Sequence, residues 1–417
     1  ASHFNTTVEE IMAANPIIPR DATTMPPGLP MKIPIYYRPF WGTSYQILPD
    51  SLFVNGPQAV DFNAVDFVDT QPGWFKQYSF FLGGATRRGG ELVNYIADQF
   101  SVSPRILLAI LEYLSGALTQ PTMPENADNF LLYRTDNEHR SLALQLVQLA
   151  NTLNNGYYGW RTGSLTEFSR RDSSLERPDP WQNAASVALQ FTFSQFLDNQ
   201  AYFRAIHSEG VHKTYINLFG DPWENPVVHI PGSLIQPTLL LPFQAGKTWA
   251  YTGGPHTGWG SGAPFAAVDF APPGATAGCG ISSEFSTAMA DGIVTRTGSG
   301  YLSLDLDGDG DDRTGWVLFY LHLSNFEMIN EGAVVKAGDP LGHPSCEGGN
   351  ATGSHVHIAR KYNGEWIAAD SALPFDMEGW RPVNGLVPYE GTLTRYGRIV
   401  IACVCANNAS LVTAGQP

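Results

Sequence analysis

Residues 254–270, GPHTGWGSGAPFAAVDF, and residues 346–364, CEGGNATGSHVHIARKYNG, decide the reading of this chain. The run HVHIARK (355–361) is rich in apolar and β-branched residues and predicts a strand. Residues i and i+2 of a strand share a face, so His355 and His357 converge on one spot. His256 lies in a glycine-rich loop, and Asp269 follows thirteen residues later inside the short apolar run AAVDF. His322 sits in a second strand-like run, FYLHL. Two histidines and an aspartate offer nitrogen and oxygen donors, a set that suits catalytic zinc with a fourth position left for water. Such a zinc polarises a carbonyl and lowers the pKa of its water to about 7. A single buried histidine is usually an ordinary core residue. A His-x-His pair, a loop histidine and a strand aspartate in one region are harder to explain that way.

Around these stretches, residues 236–402 alternate short strand-like runs with Gly, Asp and Pro: GIVTRTG, YLSLDLD, GWVLFYLHL, HVHIARK and RIVIACV. Regular turn signals between them predict an antiparallel all-β domain. Residues 61–228 read instead as an all-α domain. Ser103, Pro104 and Gly116 bracket the helix PRILLAILEYLS, and the pattern from Asn137 is expected to stop at Gly156. Residues 36–60 read as a linker or a strap, 1–35 as a helix, a Pro-rich turn and a strand, and 403–417 as a polar tail. The fold class is thus multidomain, helical first and β second.

Composition narrows the function. With 24 Lys and Arg against 39 Asp and Glu, the net charge of −15 excludes the basic footprint that nucleic acid requires. No apolar run is long enough to span a membrane. The chain starts at Ala1 without a charged n-region, so the expectation is an exported protein whose signal peptide has been removed. Its 4 cysteines, Cys279, Cys346, Cys403 and Cys405, suit disulfides outside the cell.

The two quoted stretches resemble the signature regions of the lysostaphin-type zinc endopeptidases, most closely the beta-lytic branch, with Tyr-x-His-Leu at 320–323 between them. The resemblance spans residues 236–390. It implies zinc held by His256, Asp269 and His357, with His355 as general base and a protonated His322 as transition-state stabiliser. It implies hydrolysis of peptide bonds in peptidoglycan, with Gly348, Gly349 and Gly353 leaving room for a small-residue peptide. Cys346 lies in a CEGG stretch that is disulfide-bonded in that branch, and the resemblance implies Cys279 as its partner. Cys403 and Cys405 stay open, since a C-x-C bridge is strained and two free thiols outside the cell are disfavoured.

Three further readings come from motifs. DLDGDGDD supplies Asp305, Asp307, Asp309 and Asp311 in the pattern that opens a calcium loop, but the twelfth position is Trp316 and not Glu. It is either a weak structural calcium site or an acidic hairpin tip. The helical region resembles the lysozyme-like fold of peptidoglycan glycosidases. Leu114 stands where that family keeps its acid, and Glu112 points elsewhere, so the domain reads as inactive, with Tyr157, Tyr158 and Trp160 as glycan contacts. Asn15, Gly28, Ile33 and Pro34 resemble the second half of a LysM module. The expected function is a secreted zinc endopeptidase acting on peptidoglycan. The alternatives are a non-catalytic surface or scaffold protein, and a latent form covered by its helical region.

Overall fold

A computed structural model describes residues 1–22, 25, 29–39, 41–125, 141–274, 278–405 and 407–415. Two compact units divide the chain, Ala1–Gly232 and Ser233–Pro417.

The first unit is built from α1 (Val8–Ala14), α2 (Ala64–Thr70), α3 (Gly89–Phe100), α4 (Pro104–Ser115), α5 (Leu142–Thr162), α6 (Ala184–Phe196), α7 (Asn199–Ile206) and α8 (Val211–Phe219). Thr7 and Glu10 close a capping box at the start of α1, which satisfies two otherwise orphaned N–H groups. Gly116 ends α4 in the left-handed region at φ 63°, where a Cβ would be penalised. The expected stop at Gly156 is not used: α5 runs on to Thr162 and ends at Gly163. Gly156 serves packing instead, because a Cβ there would lie 2.8 Å from the Cα of Ala188 on α6.

This unit is not purely helical. Among the described residues, two small antiparallel hairpins interrupt it, β1 (Ser79–Leu82) with β2 (Ala85–Arg88), and β3 (Phe168–Ser169) with β4 (Leu175–Glu176). The strand expected near residue 33 is absent, although Asn15 binds that segment. Its amide accepts from the Lys32 N–H at 2.7 Å and donates to the Lys32 carbonyl at 2.6 Å. Gly28 lies outside the described residues. Within residues 36–60, read as a linker or a strap, Ile47, Leu48, Phe53 and Val54 are buried and the Ile47 N–H donates to Ser186 Oγ at 2.6 Å.

Three residues assigned to glycan contact also belong to this core. Tyr157, Tyr158 and Trp160 are 0%, 2% and 3% exposed. Tyr157 stacks on Phe53 with ring centroids 4.1 Å apart, and Trp160 Nε1 donates to the Gln182 carbonyl at 3.1 Å. Their position on the inner face of α5 corrects the sequence expectation, because no ring face is left for a sugar. Glu112 is occupied at the end of α4, accepting from the Leu118 N–H at 2.7 Å and the Thr119 hydroxyl at 2.5 Å.

The second unit contains β5 (Thr248–His256), β6 (Ala267–Ala271), β7 (Ser286–Thr287), β8 (Gly292–Gly298), β9 (Tyr301–Asp305), β10 (Trp316–Leu321), β11 (Val334–Val335), β12 (Pro340–Gly342), β13 (Val356–Tyr362), β14 (Glu365–Trp366), β15 (Arg381–Asn384), β16 (Gly391–Arg395), β17 (Arg398–Ile401) and β18 (Leu411–Thr413). Among the described residues its main sheet has the order β11-β8-β9-β10-β13-β6-β5-β18, and β14 pairs with β13. The pairings are antiparallel, which lets one face bury while the other stays accessible. Val268 and Phe270 on β6 and Val356 and Ile358 on β13 point into the core with Leu318 and Tyr320 of β10. With a period of 2, the residues between them, Asp269 and His357, must stand on the opposite face.

Two disulfides close this unit. Cys279 pairs with Cys346, and Cys403 pairs with Cys405, which resolves the pairing that spacing left open.

Candidate metal centre

The sheet register assembles the site. Asp269 on β6 lies opposite His357 on β13 and opposite Gly253 on β5. A shift in register between Gly253 and His256 brings the last residue of β5 onto the same face. The side chains of His256, Asp269 and His357 thus meet although they are far apart in sequence, and all three are buried. His256 Nε2 lies 2.9 Å from His357 Nδ1, and Asp269 Oδ1 lies 3.2 Å from each of those nitrogens.

The outer partners of the imidazoles set which atoms face inward. His256 Nδ1 donates to the Gly254 carbonyl at 2.8 Å, and His357 Nε2 donates to the Gly258 carbonyl at 3.1 Å. Each neutral ring has then spent its one proton outward, and its other nitrogen presents a lone pair to the centre. Asp269 Oδ1 is buried without a hydrogen-bond partner. Two lone pairs and a carboxylate oxygen in one buried place call for a cation. A tetrahedral zinc with bonds of about 2.0–2.1 Å needs donors roughly 3.3 Å apart, close to the spacing found here.

The electrostatics agree. Burial penalises the charged form of His256, but the adjacent Asp269 carboxylate outweighs it and raises its pKa. Burial also opposes ionisation of Asp269, yet the charges of His256 and His355 hold it well below the usual carboxylate range. His357 is lowered, chiefly by burial. Asp269 thus supplies negative charge within the cluster.

Two further histidines flank it. His355 immediately precedes β13, its Nδ1 donates to the Gly353 carbonyl at 2.7 Å, and its Nε2 lies 3.8 Å from Asp269 Oδ2. His322 follows β10, with its ring centroid 4.5 Å from that of His355. Its Nδ1 donates to the Glu347 carbonyl at 2.9 Å, which leaves Nε2 bare. Burial and then the charges of His355 and His357 push its pKa down to about 3.

Sequence reasoning missed several parts of this site. Tyr389 stacks on His256 with centroids 4.1 Å apart, and its carbonyl accepts from the Gly254 N–H at 2.7 Å. A tyrosine delivered by a distant hairpin leaves no local signal. Trp259, which immediately follows Thr257-Gly258, lies edge-on to Phe319 at 5.7 Å on the site side of β10.

The acidic loop is organised differently from the expectation. Carboxylate oxygens of Asp305, Asp307 and Asp309 lie within 4.8 Å of one another. Asp311 leaves that set to bind Arg313 at 2.6 Å. Asp305 caps the N–H groups of Asp307 and Gly310 at 3.0 and 2.9 Å, as an acidic hairpin tip does. The calcium set of four is thereby corrected to three acids that largely cap the loop.

A family model described as "LasA, N-terminal domain" matches residues 46–233. Protease LasA of Pseudomonas aeruginosa is 26% identical over 367 residues, covering 84% of this chain and 81% of the relative. The solved structure of the M23 metalloprotease pseudoalterin shares 28% identity, with a TM-score of 0.34, over 40% of this chain and 96% of that one. The beta-lytic metalloendopeptidase of Lysobacter enzymogenes is 31% identical over 166 residues, 38% of this chain and 86% of the relative. The chain belongs to the LasA-like M23 metallopeptidases.

Membership in a metallopeptidase family accounts for a buried N, N, O donor set, and the donor chemistry points to zinc. In this LasA-like metallopeptidase, no helix among the described residues is long and apolar enough to cross a membrane.

Proposed function

We propose that the protein is a secreted zinc endopeptidase that hydrolyses peptide bonds of peptidoglycan. His256, Asp269 and His357 hold the zinc. When bound, zinc supplies Lewis-acid polarisation of a carbonyl and acidifies water. His355 acts as general base, because its Nδ1 proton is committed to the Gly353 carbonyl and its bare Nε2 faces the carboxylate side of the cluster. His322, with Nε2 also bare, stabilises developing negative charge once it carries a second proton. Gly349 lies against His322, where a Cβ would come within 3.3 Å of Cε1, and this lack of a side chain supports a small-residue peptide beside the ring.

The peptidoglycan assignment is supported by the resemblance of residues 254–270 and 346–364 to lysostaphin-type endopeptidases. Two disulfides support an oxidising location. We assign the chemistry to residues 236–402, treat 61–228 as an accompanying domain, and assign no glycosidase activity to it because Glu112 is spent on the end of α4. The net charge of −15 favours remodelling of the producer's own wall over attack on anionic foreign walls.

The observation that carries this reading is the convergence of three lone-pair donors within 3.2 Å, with two further imidazoles beside them. The test is release of new amino termini from purified peptidoglycan. Activity should vanish with chelator and return with zinc. A zinc-loaded protein that releases none would instead favour a non-catalytic scaffold.

A further inference from the structure

Outside the metal cluster, one short segment reaches both flanking histidines. The Ser345 N–H donates to the His322 carbonyl at 2.6 Å, and Ser345 Oγ reaches the same carbonyl at 3.2 Å. The Ser345 carbonyl accepts from the His355 N–H at 3.3 Å. Two residues on, the Glu347 carbonyl accepts the His322 Nδ1 proton at 2.9 Å. Cys346, between them, is tethered to Cys279.

His322 itself has φ 64°, in the left-handed region that a bulky residue rarely occupies. Such a conformation persists only where surrounding contacts over-determine it, and it concentrates at functional positions. Here the contacts come from Ser345 and Glu347. The Glu347 side chain in turn fixes its own backbone. Its carboxylate accepts from Ser324 Oγ at 2.9 Å, from the Asn325 N–H at 3.1 Å, and from the Asn325 side-chain amide. Ser324 and Asn325 immediately follow the His322-Leu323 pair, so the carboxylate bridges the two chain segments that meet at His322.

We infer that Glu347 is a positioning residue: its carboxylate pins the 345–347 segment to the 322–325 turn, so that its carbonyl holds His322 in the Nδ1–H tautomer with Nε2 turned to the reaction site. This rests on the proposed role of His322. It does not touch the metal cluster, and it predicts an effect on turnover without an effect on zinc.

The test compares wild type, Glu347→Ala, Glu347→Gln and the exposed control Glu331→Ala in the full chain. Glu347→Ala should lower kcat roughly 10- to 100-fold, the range found when groups orienting active-site residues are lost. KM, zinc content and the Glu331→Ala control should match wild type. Glu347→Gln, which keeps an acceptor oxygen, should recover most of the loss. Independently of activity, 15N spectra of the histidine side chains in zinc-free protein should show His322 as the Nδ1–H tautomer in wild type and as a mixture in Glu347→Ala. Wild-type kcat and an unchanged His322 tautomer in Glu347→Ala would overturn the inference. So would losses of kcat and zinc in step, which indicate a purely structural role. If wild type cleaves nothing while the tautomer still responds to Glu347→Ala, the peptidase reading fails and the positioning role stands.

Discussion

A Cβ placed on Gly253 would stand 2.4 Å from Oδ2 of Asp269, directly across the β5–β6 ladder. The carboxylate therefore occupies space that any other residue at 253 would claim. Gly253 is in this sense part of the candidate metal centre, although it offers no ligand. Gly253→Ala should push Asp269 off its position opposite His357 and weaken zinc binding by roughly 10- to 100-fold while the sheet still forms. Titration against a competing chelator measures this, and wild-type affinity in Gly253→Ala would contradict it.

Asp312 ends the acidic run DLDGDGDD in sequence, but the fold places it between two cations. Its Oδ2 lies 2.9 Å from Arg296 Nη2 and 3.6 Å from Lys361 Nζ, and the carboxylate is largely buried. Burial opposes its charge, but Arg296 and then Lys361 outweigh that and hold its pKa far below the usual range. A folded-state pKa below the unfolded value near 3.9 adds stability that is fully present above that value and is lost as pH falls below it. Asp312→Asn should therefore destabilise the β unit by about 3–5 kcal/mol at neutral pH, as breaking one side of a buried pair does. It should also flatten the loss of stability between about pH 4 and pH 2. Denaturation midpoints across that range check both points, and a parallel acid limb in the variant would contradict the account.

Tyr157 separates a core role from a glycan role. Buried against Phe53, its removal should cost about 3–5 kcal/mol, the usual price of deleting a large core ring. A glycan contact would instead lose affinity at constant stability. Urea denaturation of Tyr157→Ala beside a peptidoglycan pull-down distinguishes the two, and unchanged stability would return Tyr157 to the surface.

The Cys279–Cys346 bridge spans 67 residues of chain. Chain-entropy arithmetic for a loop of that length gives about 4 kcal/mol of stabilisation. The double variant Cys279→Ser, Cys346→Ser should shift the unfolding midpoint accordingly. A shift near zero would mean that the ladder around Ser345 holds the segment without help.

Much of the site was legible because a strand's period is short and its ligands are chemically distinctive. His355 and His357 share a face through alternation alone, and Asp269 stands opposite Val268 and Phe270 on its own strand by the same rule, with Val356 and Ile358 marking the other face of β13. What sequence could not supply was long-range pairing. Tyr389 reaches His256 from a separate hairpin, and Glu347 acts through its own backbone carbonyl, so neither residue type signals its role. The same limit explains the errors in the helical unit. Tyr157, Tyr158 and Trp160 look like an aromatic surface turn if α5 stops at Gly156. Once the helix continues to Thr162, their positions turn inward. Gly156 misled because a glycine that admits a neighbouring helix and a glycine that ends one are the same letter.

The proposed chemistry requires that His256, Asp269 and His357 share one zinc ion. Elemental analysis of wild type, Asp269→Ala and His357→Ala after zinc loading and desalting tests it most directly. One zinc per chain in wild type, absent from both variants, is the predicted result. A wild-type protein that takes up no zinc, or variants that retain it at wild-type occupancy, would contradict the claim.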